Sequence, residues 1–227
     1  MIYYVVPFLA VLVGSLIIYC TRPKQLNTRL ILAFSGAYLL AITAFHLLPE
    51  AFEGGTEEKR IGIFIMTGLL LQIILEYLSK GAEHGHMNSQ TTSRFPFFVF
   101  TSLMLHAFLE GFPLHYTPGL VFGIMAHKIP IAMIFTSFLI QSPLPKITSI
   151  TVLFLFAIST PLGSFVAQNF PIIIHYQKEM TALVIGIFLH VSTTILFESN
   201  AGHTFNLKKF SVIIIAILTA YFSTSAH

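Results

Sequence analysis

The sequence predicts an all-α integral membrane protein, a single domain over residues 1–227 with eight transmembrane helices in a 3 + 2 + 3 arrangement and both termini outside. Three observations carry this expectation. First, 55% of the residues are hydrophobic and only 9% are charged, with a mean hydropathy of +0.82. A soluble domain carries about 25% charged residues. Second, the apolar residues gather into runs long enough to cross a bilayer, which takes about 20 residues for about 30 Å of hydrocarbon. Third, those runs are apolar on every face. Barrel strands would be shorter, near ten residues, and would alternate in polarity.

The elements follow in order. The first run, 3–20, has no basic residue before it, whereas Arg22 and Lys24 follow it. It therefore reads as a first span with an outside N-terminus and not as a cleaved signal. The second, 30–50, closes near Pro49, and the third is 60–79. After it comes a polar stretch, GAEHGHMNSQTTSR, expected to form a cytoplasmic loop over about 81–94. Spans four (95–115) and five (119–140) are joined by residues 116–118 alone, so they should form an antiparallel hairpin. Runs at 147–169, 179–198 and 209–225 complete the set.

Orientation rests on lysine and arginine. With the N-terminus outside, inner loops hold eight: Arg22, Lys24, Arg29, Lys80, Arg94, Lys146, Lys208 and Lys209. Outer loops hold three: Lys59, Arg60 and Lys178. The net charge of +3 is scattered, so no nucleic-acid partner is implied. Cys20 stands alone, which excludes an intrachain disulfide.

Against this background, HAFLEGFPLHYTPGLVFGIMAHKIP (106–130) places ionisable groups where water is scarce. His106 and Glu110 share one face of span four. His127 lies at a similar depth on span five, so the hairpin can bring the three together. Two imidazoles and a carboxylate suit Zn²⁺ or a related divalent ion. A lone membrane histidine is often only hydrogen-bonded to a neighbouring helix. Three ionisable groups converging at one depth are rare and tend to mark an ion path. Pro113 and Pro130 each leave a helical carbonyl without its donor, which is tolerated beside a polar cavity.

These residues resemble the signature helices of the ZIP (Zrt/Irt-like protein) divalent metal transporters. HAFLEG (106–111) is similar to the family's fourth-span motif and HKIPIA (127–132) to its fifth. HLLPEAFE (46–53), TPLG (160–163) and HVSTTILFES (190–199) are similar to its second, sixth and seventh spans. The resemblance implies that His106, Glu110 and His127 are ligands of a first transport site. It also implies an elevator-like motion and a homodimer. A second metal site does not survive in this sequence. Its positions are held by Ala107, Lys128, Ile131 and Thr160. The expectation is a mainly mononuclear site in which the Lys128 ammonium pairs with Glu110 in place of a second metal. The alternative for Lys128 is a side chain that snorkels away.

Further candidates line a path. His46, Glu50 and Glu53 at the outer end of span two form an expected entrance, with Glu53 reading equally well as a group hydrated at the membrane edge. His190 and Glu198, two turns apart on span seven, form an expected exit with His203, His84 and His86, although loop histidines such as His84 and His86 are by default simply solvated. Glu76, near the inner end of span three, either faces the same exit or sits at the membrane interface. Ser192, Thr193 and Thr194 are either hydroxyl ligands or, more commonly, bonded back to their own helix. His115, His175 and His227 receive no role.

The expected function is transport of a divalent metal, zinc first with iron or manganese as further substrates, across a cell membrane into the cytoplasm. The metal is cargo, so neither a resident cofactor nor an enzymatic activity is implied. No phosphate-binding glycine loop points to ATP. Because ligating histidines must be neutral, binding should weaken as pH falls through about 6.5. Two other classes fit less well. A membrane zinc hydrolase also uses three protein ligands and a water, but there is no HExxH motif and no Asp in the chain. A metal sensor without flux would fit the lost second site.

Overall fold

The computed structural model describes residues 1–21, 28–53, 58–79, 97–117, 119–198 and 207–225, with the backbone alone at 28, 29, 198, 224 and 225. Every element among them is helical. Helix α1 spans Ile2–Cys20 and α2 begins at Thr28–Ile42. A π-helical turn, Thr43–Leu47, and a short helix, Leu48–Phe52, continue α2. Then come α3 (Glu58–Ser79), α4 (Phe97–Leu109), α5 (Leu120–Gln141) and α6 (Lys146–Asn169). One helical turn, Pro171–His175, precedes α7 (Gln177–Glu198), and α8 is Leu207–Ser225.

Seven of the described helical segments are long and apolar enough to cross a membrane, from Ile2–Cys20 to Gln177–Phe197. This fits a helical membrane protein. Large apolar side chains such as Leu16, Ile63, Leu70, Phe154 and Phe222 point outward, as lipid-facing residues do when hydrocarbon is the solvent.

The helices pack in two groups. In one, α1 lies along α5 and α6, and α6 also packs on α4. In the other, α3 lies along α7, and α2 packs on α7 and α8. Between the groups α2 meets α5, and α3 meets α4. Small residues allow the closest approaches. A methyl built on Gly186 of α7 would collide with the Ile65 carbonyl of α3, and one on Gly163 of α6 with the Phe108 carbonyl of α4. Such backbone contact is how helices gain packing energy in lipid, where apolar burial alone gives little.

One expectation is refined and one corrected. Span four runs as a single helical segment over Phe97–His115, but it is not α-helical throughout. Its α-helix ends at Leu109 and resumes as a 3₁₀ turn, Phe112–His115. Pro113 lacks the N–H that would bond the Leu109 carbonyl, so the α-helical ladder cannot continue. Nor do spans four and five form a tightly packed hairpin. The principal neighbours of α4 are α6 and α3, and those of α5 are α1 and α2. The room between α4 and α5 is taken by histidine, glutamate and lysine side chains.

Candidate metal-binding site

The centre of the site is made by the end of α4 and the middle of α5. Although the α-helix stops at Leu109, the Glu110 N–H still donates to the His106 carbonyl at 3.0 Å. Glu110 therefore stays one turn from His106, on the same side. His127 and Lys128 are neighbours on α5, so their side chains leave the helix about 100° apart. His127 turns toward His106 and Lys128 turns toward Glu110.

One ligand atom from each of His106, Glu110 and His127 lies within 4.8 Å of the other two, and all three residues are buried. The two imidazole centroids are 6.0 Å apart. His106 Nε2 stands 3.7 Å from Glu110 Oε2. Ligands held about 2.0–2.1 Å from a tetrahedral zinc are about 3.4 Å apart. Small side-chain rotations would close this triad on an ion.

The Glu110 carboxylate is divided between two neighbours. Its Oε1 accepts from the Lys128 ammonium and, at 2.7 Å, from the Thr160 hydroxyl. Its Oε2 faces His106. Lys128 is 2% exposed and its Nζ lies 2.5 Å from Thr160 Oγ1 and 4.9 Å from the centre of the Phe156 ring. The snorkelling alternative for Lys128 is thus not what the fold adopts. Ala107 and Ile131, two of the positions where a second site would need ligands, belong to an apolar cluster with Leu103, Phe135 and Phe156. No donor set for a second ion exists there among the described residues.

Two residues at the site were not singled out by the sequence. The Nδ1 of His106 lies 3.1 Å from Gln72 Oε1 on α3, and the Nδ1 of His127 lies 3.2 Å from Ser35 Oγ on α2. A signal was present for Gln72, the only amide in the third span and the polar group nearest its middle besides Thr67. Ser35 offered none, because a small hydroxyl beside Gly36 reads equally well as a packing residue.

The entrance residues gather at one mouth. His46, Glu50, Glu53, Tyr116 and Thr117 line a common open cleft. Pro49 has no N–H for the Phe45 carbonyl, and the chain responds with the π turn, in which the Leu48 N–H reaches back to Thr43. That turn carries half-buried His46. Glu50 Oε2 accepts from Thr117 Oγ1 at 3.0 Å, which ties the cleft to the turn between α4 and α5. Glu53 is exposed at the helix end, where its carbonyl accepts from Lys178. In the same turn burial lifts the Tyr116 phenol above its ordinary pKa, and its hydroxyl donates to the Ala167 carbonyl at 3.0 Å.

The exit residues are placed in part. His190 Nε2 pairs with Glu76 Oε2, joining α7 to α3, and both groups are about one-fifth exposed. The Ser192, Thr193 and Thr194 hydroxyls donate to Phe188, Leu189 and His190 carbonyls on their own helix. They take the back-bonded arrangement expected for hydroxyls within a helix. The Glu198 side chain, His203, His84 and His86 lie outside the described residues.

The fold and site together define a helical membrane protein with a buried His–Glu–His cluster beside a lysine. No protein-family model matches the chain, and a search of curated proteins returns no match.

Proposed function

We propose that the chain carries a divalent metal ion, zinc first and iron or manganese as further substrates, across a membrane into the cytoplasm. The observation that carries this reading is the meeting of His106, Glu110 and His127, buried, with ligand atoms within 4.8 Å. Buried ionisable groups in a membrane domain are costly and tend to mark ion paths. The motif resemblance to ZIP transporters supports the same reading, as do the mouth at His46 and Glu50 and the His190–Glu76 pair on the far side. Eight spans with outside termini, and a homodimer, belong to this proposal.

The site holds one ion. Lys128 and Thr160 engage Glu110 Oε1, and Oε2 faces His106. A single carboxylate thus bridges a built-in cation and the transported one. With only three protein ligands, water completes the zinc shell, and an incompletely caged ion can leave. The α4–α5–α6–α1 group, which bears all three ligands, is the part that moves against the α2–α3–α7–α8 group.

Binding without flux is the second reading, favoured by Lys128, which keeps a fixed positive charge beside the ion. Uptake of radiolabelled zinc by proteoliposomes separates the two. Saturable uptake that disappears in His106→Ala and His127→Ala is expected. Zinc binding with no uptake by the wild type would establish a sensor, and hydrolysis of lipid or peptide by the zinc-loaded protein would establish an enzyme.

A further inference from the structure

We propose that Gln72 and Ser35 are positioning residues that hold the two imidazoles as Nε2 ligands from across the boundary between the helix groups. This rests on the reading of His106, Glu110 and His127 as the zinc site. Gln72 is fully buried and Ser35 is 1% exposed. A buried polar side chain in an apolar helix is costly unless it is hydrogen-bonded. Each of these two meets a histidine of the triad, and each does so through Nδ1.

The chemistry fixes a direction. A glutamine carbonyl oxygen can only accept, so Nδ1 of His106 donates and Nε2 carries the lone pair. Nε2 is the atom that faces Glu110 Oε2. With His127 Nε2 on the ion, its Nδ1 keeps the proton and donates a hydrogen bond to Ser35 Oγ. Outer partners of this kind set ring orientation and tautomer, and their loss typically weakens metal binding about 10–100-fold.

Their location adds a consequence. The ligands stand on α4 and α5, while Gln72 and Ser35 stand on α3 and α2, in the other group. Both histidines therefore have their full support only while the groups are aligned as here. Sliding one group along the other breaks both bonds and loosens the grip on the ion.

The experiment uses the full chain in lipid nanodiscs, with Zn²⁺ affinity measured by competition against a zinc-chelating dye. Gln72→Met, which keeps bulk but removes the acceptor, and Ser35→Ala should each bind zinc about 10–100-fold more weakly. Gln72→Glu keeps both the shape and an acceptor for Nδ1–H and should bind near the wild-type value, whereas Gln72→Met keeps the bulk alone. Gln72→Glu as weak as Gln72→Met overturns the proposal. So do Gln72→Met and Ser35→Ala binding like the wild type while His106→Ala loses zinc. If His106→Ala itself binds normally, the zinc site is misassigned, and that result is distinct. Should Gln72→Met fail to fold, Ser35→Ala, one oxygen smaller, decides.

Discussion

Replacing Lys128 with methionine removes one ammonium and keeps a side chain of similar length. In the wild type that ammonium sits on Glu110 Oε1, beside the Thr160 hydroxyl and over the Phe156 ring, at 2% exposure. The variant leaves Glu110, itself 1% exposed, with the hydroxyl as its remaining close partner at Oε1. Removing one member of a buried ion pair typically costs about 3–5 kcal/mol. For a chain of this length each kcal/mol corresponds to roughly 2–4 °C, so metal-free Lys128→Met should melt on the order of 10 °C lower. The assay is thermal unfolding of the detergent-solubilised, chelator-treated protein. Glu110→Gln with Lys128→Met removes both charges and should recover much of the loss, giving a coupling on the scale of 0.5–3 kcal/mol for contacting residues. An unchanged melting temperature in the single variant, or a double variant no better than the sum of the singles, refutes the pairing.

Other outcomes follow from the same geometry. Gly163→Ala places a methyl against the Phe108 carbonyl; overpacking of this kind costs about 1–3 kcal/mol, and by pushing α4 off α6 it should lower both melting temperature and zinc affinity. Thr160→Val removes the hydroxyl that donates to Glu110 and lies 2.7 Å from the Ala107 carbonyl, a change expected to cost about 1–3 kcal/mol in unfolding experiments. Glu50→Gln weakens the mouth without touching the triad, so the KM for zinc uptake should rise while equilibrium zinc affinity in detergent holds. Calorimetric titration should give one zinc per chain, and two would contradict a mononuclear site.

Much of the fold was legible because lipid imposes a simple rule. Backbone groups must be satisfied within each segment, so long apolar runs become helices, and the boundaries of α1, α3, α5, α6 and α7 lie within a few residues of the runs read from the sequence. The triad was legible because His106, Glu110 and His127 stand out against apolar neighbours at matched depths. What was not legible depends on which helices become neighbours. Chain order suggested that α4 and α5 pair, whereas glycines such as Gly163 set α4 against α6. The π turn at His46 arises from one missing N–H at Pro49, and nothing in the periodicity records that the chain would widen its helix and not end it. Ser35 and Gln72 gain meaning only when α2 and α3 are seen against the two histidines.

The central claim is that two imidazoles and one carboxylate grip a single zinc ion deep in the bundle. X-ray absorption at the zinc edge, on the purified chain loaded with one equivalent, tests it most directly. The expected result is a nitrogen and oxygen shell at about 2.0–2.1 Å with the outer scattering of two imidazoles, falling to one in His127→Ala. A shell without imidazole, or one unchanged by His127→Ala, would contradict it.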